Sequence, residues 1–357
     1  MGHRKVVSSF IVAIGISIIA TGLFSCSGVC DCSELYSKNG LIYINDDSIP
    51  FSGKCESVLA GITKTYEYKK GILDGYYSVL NEKGQKIVEV KFENGNKEGS
   101  EIILNNKGLP ILEESFVKGN KNGILKEWFD DGKIKNIENY KDNVLNGQAT
   151  VFYQTGKKKE QKFFKEGLAH GDWIVWYENG KKKSEGKYKN GKEHGTWLTW
   201  YENGIQEKEE KYKQGLPDGK FQTWYDNGQT KSIGSFNDGY EDGLWIIWYE
   251  NGQKKRQGYI KNGSEQGLWV TWYPNGNKMN EDNYIDGKEE GICTSWFENG
   301  QKKSEIKYTS GIYDGEATLW NPNGQISMKG LYKSGVLKSL PINNGDSVRG
   351  NKQIPVF

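Results

Sequence analysis

The chain has 357 residues, among them 46 Gly and only 7 Pro, with 12 Trp and 21 Tyr. Such aromatic content excludes a disordered Pro/Gly-rich segment and fits turn-rich β structure. Lys and Arg number 48 against 46 Asp and Glu, a net charge of +2, so no strong field points to nucleic acid or to an acidic partner.

Residues 1–25 read as a leader. Arg4 and Lys5 make a short basic stretch, Val6 to Gly22 is apolar, and Leu23-Phe24-Ser25-Cys26 closes it. This is the pattern of a bacterial secretion signal, and its end resembles a lipobox, where a peptidase cuts before a cysteine that carries lipid. Leu23 and Ser25 match that pattern and Phe24 departs from it. Cys26 is therefore the expected lipidation site, and the expected location is the cell envelope, on its periplasmic or surface side, with the lipid as the contact to membrane. The alternative is an uncleaved anchor helix, since ~17–25 apolar residues span a bilayer. Either reading puts the rest of the chain outside the cytoplasm.

Residues 26–50 read as a tether and irregular preamble. Cys30, Cys32 and Cys55 then lie in a compartment where disulfides form, and Cys55 pairing with Cys30 or Cys32 would staple the tether to the first repeat unit. A metal site is not expected: Cys30-x-Cys32 is too tight for the usual zinc pair, and His partners are missing.

Residues 51–335 are tandem repeats. A first, shortened unit runs from Phe51 to Gly71; from Gly75 onward the period is 24 residues without an insertion. A shift by 24 superposes Trp128, Phe152, Trp176, Trp200, Trp224, Trp248, Trp272, Trp296 and Trp320. Self-similarity at a fixed period of this size signals units that cannot bury their apolar faces alone and rely on their neighbours. The clearest copy begins at Gly171. Trp173 to Tyr177 is rich in aromatic and β-branched residues, which suit a pleated, half-buried surface. Glu178-Asn179-Gly180-Lys181 turns the chain, Asn-Gly being the strongest short-range hairpin signal. Lys182 to Tyr188 returns, and Lys189-Asn190-Gly191 makes a second turn.

Recurrent Gly and the lack of an i, i+3, i+4, i+7 apolar stripe argue against helix. The fold class is thus all-β, an elongated single-layer twisted sheet of tandem 24-residue hairpins. Two strands per unit at ~4.8 Å each extend eleven units to ~100 Å. A two-residue loop at Asn179-Gly180 places Trp173 opposite Gly186, an indole covering a residue without a side chain. A bulged turn would shift the register by one and exchange the faces.

The units at Gly75 and Gly99 are weaker copies, with Leu80 and Leu104 in the Trp176 column and Asn81 and Asn105 in the Tyr177 column. Residues 336–357 drop the pattern and read as a C-terminal cap or tail.

The unit G-x-W-x-x-W-Y-E-N-G-x-K-K-x-E-x-x-Y-K-x-G resembles the MORN repeat in its bacterial variant form, as in WYENGKKKSEGKYKNGK from Trp176 to Lys192. The resemblance implies β-hairpin scaffolds in protein–protein and membrane-associated contacts, with lipid binding proposed for some. Proteins of this kind are often described as YwqK-family antitoxins of toxin–antitoxin systems, a role at odds with an export signal ending at Cys26. A weaker resemblance, to choline- and glucan-binding repeats, suggests a glycan as a rival ligand.

The sequence offers little for catalysis, and no enzyme activity is expected. His170 and His194 occupy a column otherwise filled by polar turn residues such as Asp74, Glu98, Asn146, Asp218, Asp242 and Glu290. A calcium ladder along that column is interrupted by Asn and His. No cofactor is expected. Lys pairs such as Lys182-Lys183 and Lys302-Lys303, balanced by Glu185 and Glu305, read as a solvated surface with cross-strand ion pairs. Cys293 stands in the Trp245 and Trp269 column as a small buried residue. The remaining signal is aromatic. Trp176, Trp200, Trp224, Trp248, Trp272 and Trp296, with Tyr177, Tyr201, Tyr225, Tyr249 and Tyr273, form the candidate binding platform for a protein partner, a glycan or lipid headgroups. Burial of these rings against one another is the competing reading.

Overall fold

A computed structural model of the chain describes residues 28–45 and 48–339; the leader, Cys26 and most of the C-terminal segment lie outside these. The described residues form one long antiparallel sheet of successive hairpins, joined at its N-terminal end by a single parallel strand. Each unit contributes two strands. In the clearest copy these are Leu168–Trp176 and Lys182–Lys189, followed by Lys192–Trp200. Among the described residues no helix is long and apolar enough to cross a membrane.

The two turns of a unit differ in kind. At the second, Lys189 pairs with Lys192, and both Asn190 (φ 52°) and Gly191 (φ 79°) are left-handed, which is the two-residue type I′ hairpin. At the first, only Gly180 is left-handed (φ 92°). There Gly180 N–H donates to Tyr177 O (2.9 Å) and Tyr177 N–H to Lys181 O (2.9 Å), a type I turn closed by a Gly bulge. Asn179 is selected for its side chain, not its φ: its Oδ1 accepts from Lys181 N–H (2.9 Å) and its amide donates to Glu202 O of the next unit (3.1 Å).

The bulged turn does not exchange the faces. A second irregularity between Val175 and Trp176 cancels its shift, so Trp173 still pairs with Gly186. The indole that covers Gly186, however, belongs to the following unit: a Cβ there would lie 2.1 Å from the Trp197 ring. The same packing recurs with Gly234 under Trp245 and Gly258 under Trp269.

One face of the sheet is therefore the core. Trp245, Ile260 and Trp269 are its most buried cluster, with Phe221, Phe236 and Tyr284 packed against it. Rings from adjacent units interlock edge to face, as Tyr188 does with Trp197 (5.2 Å) and Phe236 with Trp245 (5.5 Å). Where the position beneath the ring is not Gly, its neighbours adapt. Lys162 Nζ sits 4.2 Å from the Trp173 ring centre. Glu210, beneath Phe221, is buried and accepts from Lys208 Nζ and Tyr212 Oη, each at 2.7 Å.

The N-terminal stretch read as tether and preamble carries folded elements. Val29–Asp31 pairs parallel with Gly53–Leu59, a 3-10 turn spans Cys32–Glu34, and Leu35–Lys38 forms a hairpin with Leu41–Ile44. That hairpin is fixed to the first unit where Ile42 N–H donates to Gly71 O (2.9 Å) and Phe51 N–H to Ile42 O (2.8 Å). Gly71 is required there, since a Cβ would meet Ile42 N at 2.9 Å. The disulfide joins Cys32 to Cys55, and Cys30 is free.

Candidate functional surface

The candidate platform lies along the edge of the sheet that carries the Asn-Gly turns. All of its tryptophans, Trp176, Trp200, Trp224, Trp248, Trp272 and Trp296, are half-buried, as are Tyr177, Tyr201, Tyr225, Tyr249 and Tyr273.

The tyrosines have a structural task that sequence reasoning missed. Tyr177 Oη donates to Trp200 O (2.8 Å), Tyr201 to Trp224 O (2.9 Å), Tyr225 to Trp248 O (2.7 Å), Tyr249 to Trp272 O (2.9 Å) and Tyr273 to Trp296 O (2.9 Å). Each hydroxyl thus fastens its turn to the next unit. Burial holds the phenol pKa of Tyr177, Tyr201, Tyr225 and Tyr249 above its ordinary value. A sequence signal existed: Tyr and Trp recur as adjacent residues at the same 24-residue interval.

The ring faces are partly covered by cations. Lysines of the preceding unit sit over the tryptophans, Lys158 over Trp176, Lys182 over Trp200 and Lys254 over Trp272 (5.9 Å each), and Lys278 over Trp296 (5.7 Å). Position 206, which precedes Trp224 in the same way, is Gln, and position 230, which precedes Trp248, is Thr. Trp224 lines an open hollow of about 410 Å³ with Thr199, Tyr201, Glu207, Lys208, Thr223 and Lys231, and Trp200, under Lys182, lines another of about 450 Å³. The Lys-over-Trp arrangement continues into ion pairs: Lys182 meets Glu185 and Lys302 meets Glu305 (2.6 Å) along the same strand. Pairs across strands also occur, such as Lys126 with Glu113 (3.0 Å) and Arg256 with Glu265 (2.8 Å).

On the opposite edge, acids of the polar column that also contains His170 and His194 hold backbone groups, whereas His170 Nδ1 is buried with no hydrogen-bond partner among the described residues. Glu98 Oε2 accepts from Lys118 N–H (2.8 Å), Asp242 Oδ2 from Asn262 N–H (3.3 Å) and Glu290 Oε2 from Ser310 N–H (2.8 Å). These side chains hold the next unit's type I′ turn. No group of three or more His, Cys, Asp or Glu converges on a metal-sized site among the described residues. Cys293 is buried, and desolvation pushes its thiol up to about 11.

The residues before the core column point to the other face by strand alternation. There Leu244, Leu268 and Ile292 are 49%, 55% and 58% exposed, and Tyr259, which pairs with Leu244, is 50% exposed. This apolar strip was not among the sequence-derived candidates. Its signal is the run Leu244-Trp245-Ile246-Ile247-Trp248, apolar at both alternations where a one-sided strand would alternate.

The sequence profile of the MORN repeat variant family matches nine successive segments: 121–142, 145–166, 169–190, 193–214, 217–238, 241–262, 265–286, 289–309 and 313–334. No curated protein matches the chain. Among solved structures, a chain from "Crystal Structure of TcdB2-TccC3-Cdc42" matches at 10% identity over 77% of this chain and 18% of its own, with a TM-score of 0.17. A likeness of that size carries no structural argument.

Proposed function

The chain belongs to the MORN repeat variant family, whose repeats mediate protein or membrane interactions, and from that premise we propose a non-enzymatic, lipid-anchored scaffold of the cell envelope that docks a protein partner on the open face of its sheet. The observation that carries this reading is the strip of Leu244, Tyr259, Leu268 and Ile292. Leu244 and Leu268 immediately precede Trp245 and Trp269 of the most buried core cluster, and Ile292 precedes the buried Cys293, so the apolar surface is carried by packed strands, which lowers the cost of ordering on association. The aromatic edge is a poorer docking surface, because its hydroxyls are engaged and most of its rings lie under lysines.

The double substitution Leu268→Glu and Ile292→Glu tests it. In cells expressing the tagged protein, crosslinked partner is expected to fall at least tenfold, with circular dichroism and thermal midpoint unchanged. Undiminished crosslinking would sink the docking surface. Anchoring is tested separately by palmitate labelling and fractionation of the native protein beside Cys26→Ala. Loss of both label and membrane retention supports the anchor. An unlabelled, cytoplasmic native chain would instead favour the antitoxin reading.

A second reading concerns the hollow at Trp224, whose uncovered ring suits a sugar or a lipid headgroup. Tryptophan fluorescence on adding cell-wall glycans or liposomes tests it, with Trp224→Ala expected to abolish the response; a flat titration of the native protein removes it.

A further inference from the structure

The N-terminal end of the sheet holds a group of cysteines whose arrangement goes beyond a structural staple. Val29–Asp31 runs parallel to Gly53–Leu59, with Cys30 directly opposite Cys55 in the register. Cys55 is fully buried and already bonded to Cys32, at a Cα separation of 5.0 Å. Cys30 is half-buried and free. Directly opposed residues on adjacent strands are ~4.8 Å apart with side chains on the same face, inside the ~4.4–6.8 Å Cα range that a disulfide spans. Cys55 thus has two cysteines within bonding reach, one on the edge strand and one at the start of the 3-10 turn after it.

We propose that Cys30, Cys32 and Cys55 form a thiol–disulfide exchange site in which Cys55 always holds one disulfide and the free thiol alternates between Cys30 and Cys32. In the exchange, Cys30 loses its proton and its thiolate attacks Cys55 Sγ. The Cys30–Cys55 bond forms as the Cys32–Cys55 bond breaks, and the departing Cys32 thiolate takes up a proton. No electrons are gained or lost overall, so no oxidant is required. The attacking species is the thiolate, and burial, together with Asp31 and Glu34 nearby, holds the Cys30 thiol above its ordinary pKa. The exchange is therefore slow at neutral pH and accelerates as pH rises. Its product keeps the edge strand bonded to the sheet while releasing Cys32 at the exposed turn, where Ser33 and Glu34 face solvent. The thiol this makes available is a site for mixed-disulfide formation with a disulfide-bearing molecule. This inference does not depend on the proposed docking face.

The test is carried out on the full chain. Samples held at pH 6 and pH 8.5 are acid-quenched, labelled with N-ethylmaleimide, cut before Asp31 so that Cys30 and Cys32 fall in different peptides, and sequenced by mass spectrometry. Label is expected on Cys30 at first and, after incubation at pH 8.5, on Cys32 at a severalfold higher level than at pH 6. Cys30→Ser should abolish labelling of Cys32 at both pH values. Cys32→Ala, refolded with oxidised glutathione as the two-electron oxidant, should form the Cys30–Cys55 bond and leave neither sulfur reactive. Absence of label on Cys32 at both pH values in the native protein, or folded Cys32→Ala protein with both remaining thiols alkylated, would overturn the proposal. If Cys32→Ala does not fold, the native pH series decides alone.

Discussion

From Tyr153 to Tyr273 each unit reaches forward: the tyrosine after the edge aromatic, Phe152 in the first of these units and tryptophan in the others, donates to a backbone carbonyl of the next unit, as Tyr225 does to Trp248 O (2.7 Å). In the units at Gly75 and Gly99 the same column holds Asn81 and Asn105: Asn81 folds back wholly into its own turn, and Asn105 folds back through its Oδ1 while its Nδ2 reaches Asp130 O of the next unit only at 3.4 Å. Asn81 Oδ1 accepts from Lys83 and Gln85 N–H (3.0 Å each), and Asn105 Oδ1 from Lys107 and Leu109 N–H (2.9 and 3.0 Å). At the core face the Gly75 unit buries Val79 and Val90, and the Gly99 unit buries Glu101 and Glu114. The backbone path is the same in both regions, so the difference lies in the joint between units. In a stack of repeats, stability is set by such nearest-neighbour interfaces as much as by the units themselves.

The core joint offers the largest test of that comparison. Gly258 and Val90 occupy equivalent positions in the 24-residue repeat, yet Gly258 lies under the Trp269 ring with 2.0 Å for a would-be Cβ. Gly258→Ala should therefore destabilise by about 1–3 kcal/mol or more through overpacking, although Gly258 has no left-handed φ that an alanine would strain. Val90→Ala should also destabilise, by loss of buried methyls. Adding a methyl harms one region and removing methyls harms the other. Denaturant titrations of both variants check the signs, and in a double-mutant cycle Trp269→Ala should cost less in the Gly258→Ala background than alone. Ile306 paired with Ala317 is the natural form of that compensation.

A smaller effect is expected at the edge joint. Tyr225→Phe removes the hydroxyl that reaches Trp248 O, a loss of about 0.5–1.5 kcal/mol for a net hydrogen bond. Hydrogen exchange should accelerate at the turns around Tyr225 and Trp248 and remain unchanged near Asn81. Equal acceleration in both regions would mean that the hydroxyl contributes to the whole sheet and not to one joint.

The period, the hairpins and the pairing of Trp173 with Gly186 could all be read from the sequence, because a 24-residue repetition of Trp, Asn-Gly and Gly leaves few ways to fold. The turn types were less accessible. Asn179-Gly180 carries the usual signature of a type I′ turn, but the amide of Asn179 bonds to the next unit, and that neighbour is not visible in a single copy. The fastening role of the Tyr177 column is hidden for the same reason, since its hydroxyl's acceptor lies 23 residues ahead. The apolar strip at Leu244, Leu268 and Ile292 was missed because an exposed Leu next to a Trp looks, in sequence, like part of one buried run.

The weakest expected effect concerns the lysines that cover the edge tryptophans. Lys182 meets Glu185 on its own strand and the Trp200 ring of the next unit, but Lys182 is about half exposed. Exposed ion pairs of this kind contribute about 0–1 kcal/mol and are screened by salt, and an exposed cation over a ring adds about 0.5–1 kcal/mol. Lys182→Ala should therefore change stability by less than the Tyr225→Phe substitution, with the difference shrinking further in molar salt. Its clearer consequence is optical. Removing the cation uncovers Trp200 as Trp224 is uncovered in the native chain, so accessibility to iodide quenching should rise at one tryptophan while the thermal midpoint stays nearly fixed. A large fall in the midpoint would mean that the lysine column, like the tyrosine column, belongs to the joint between units.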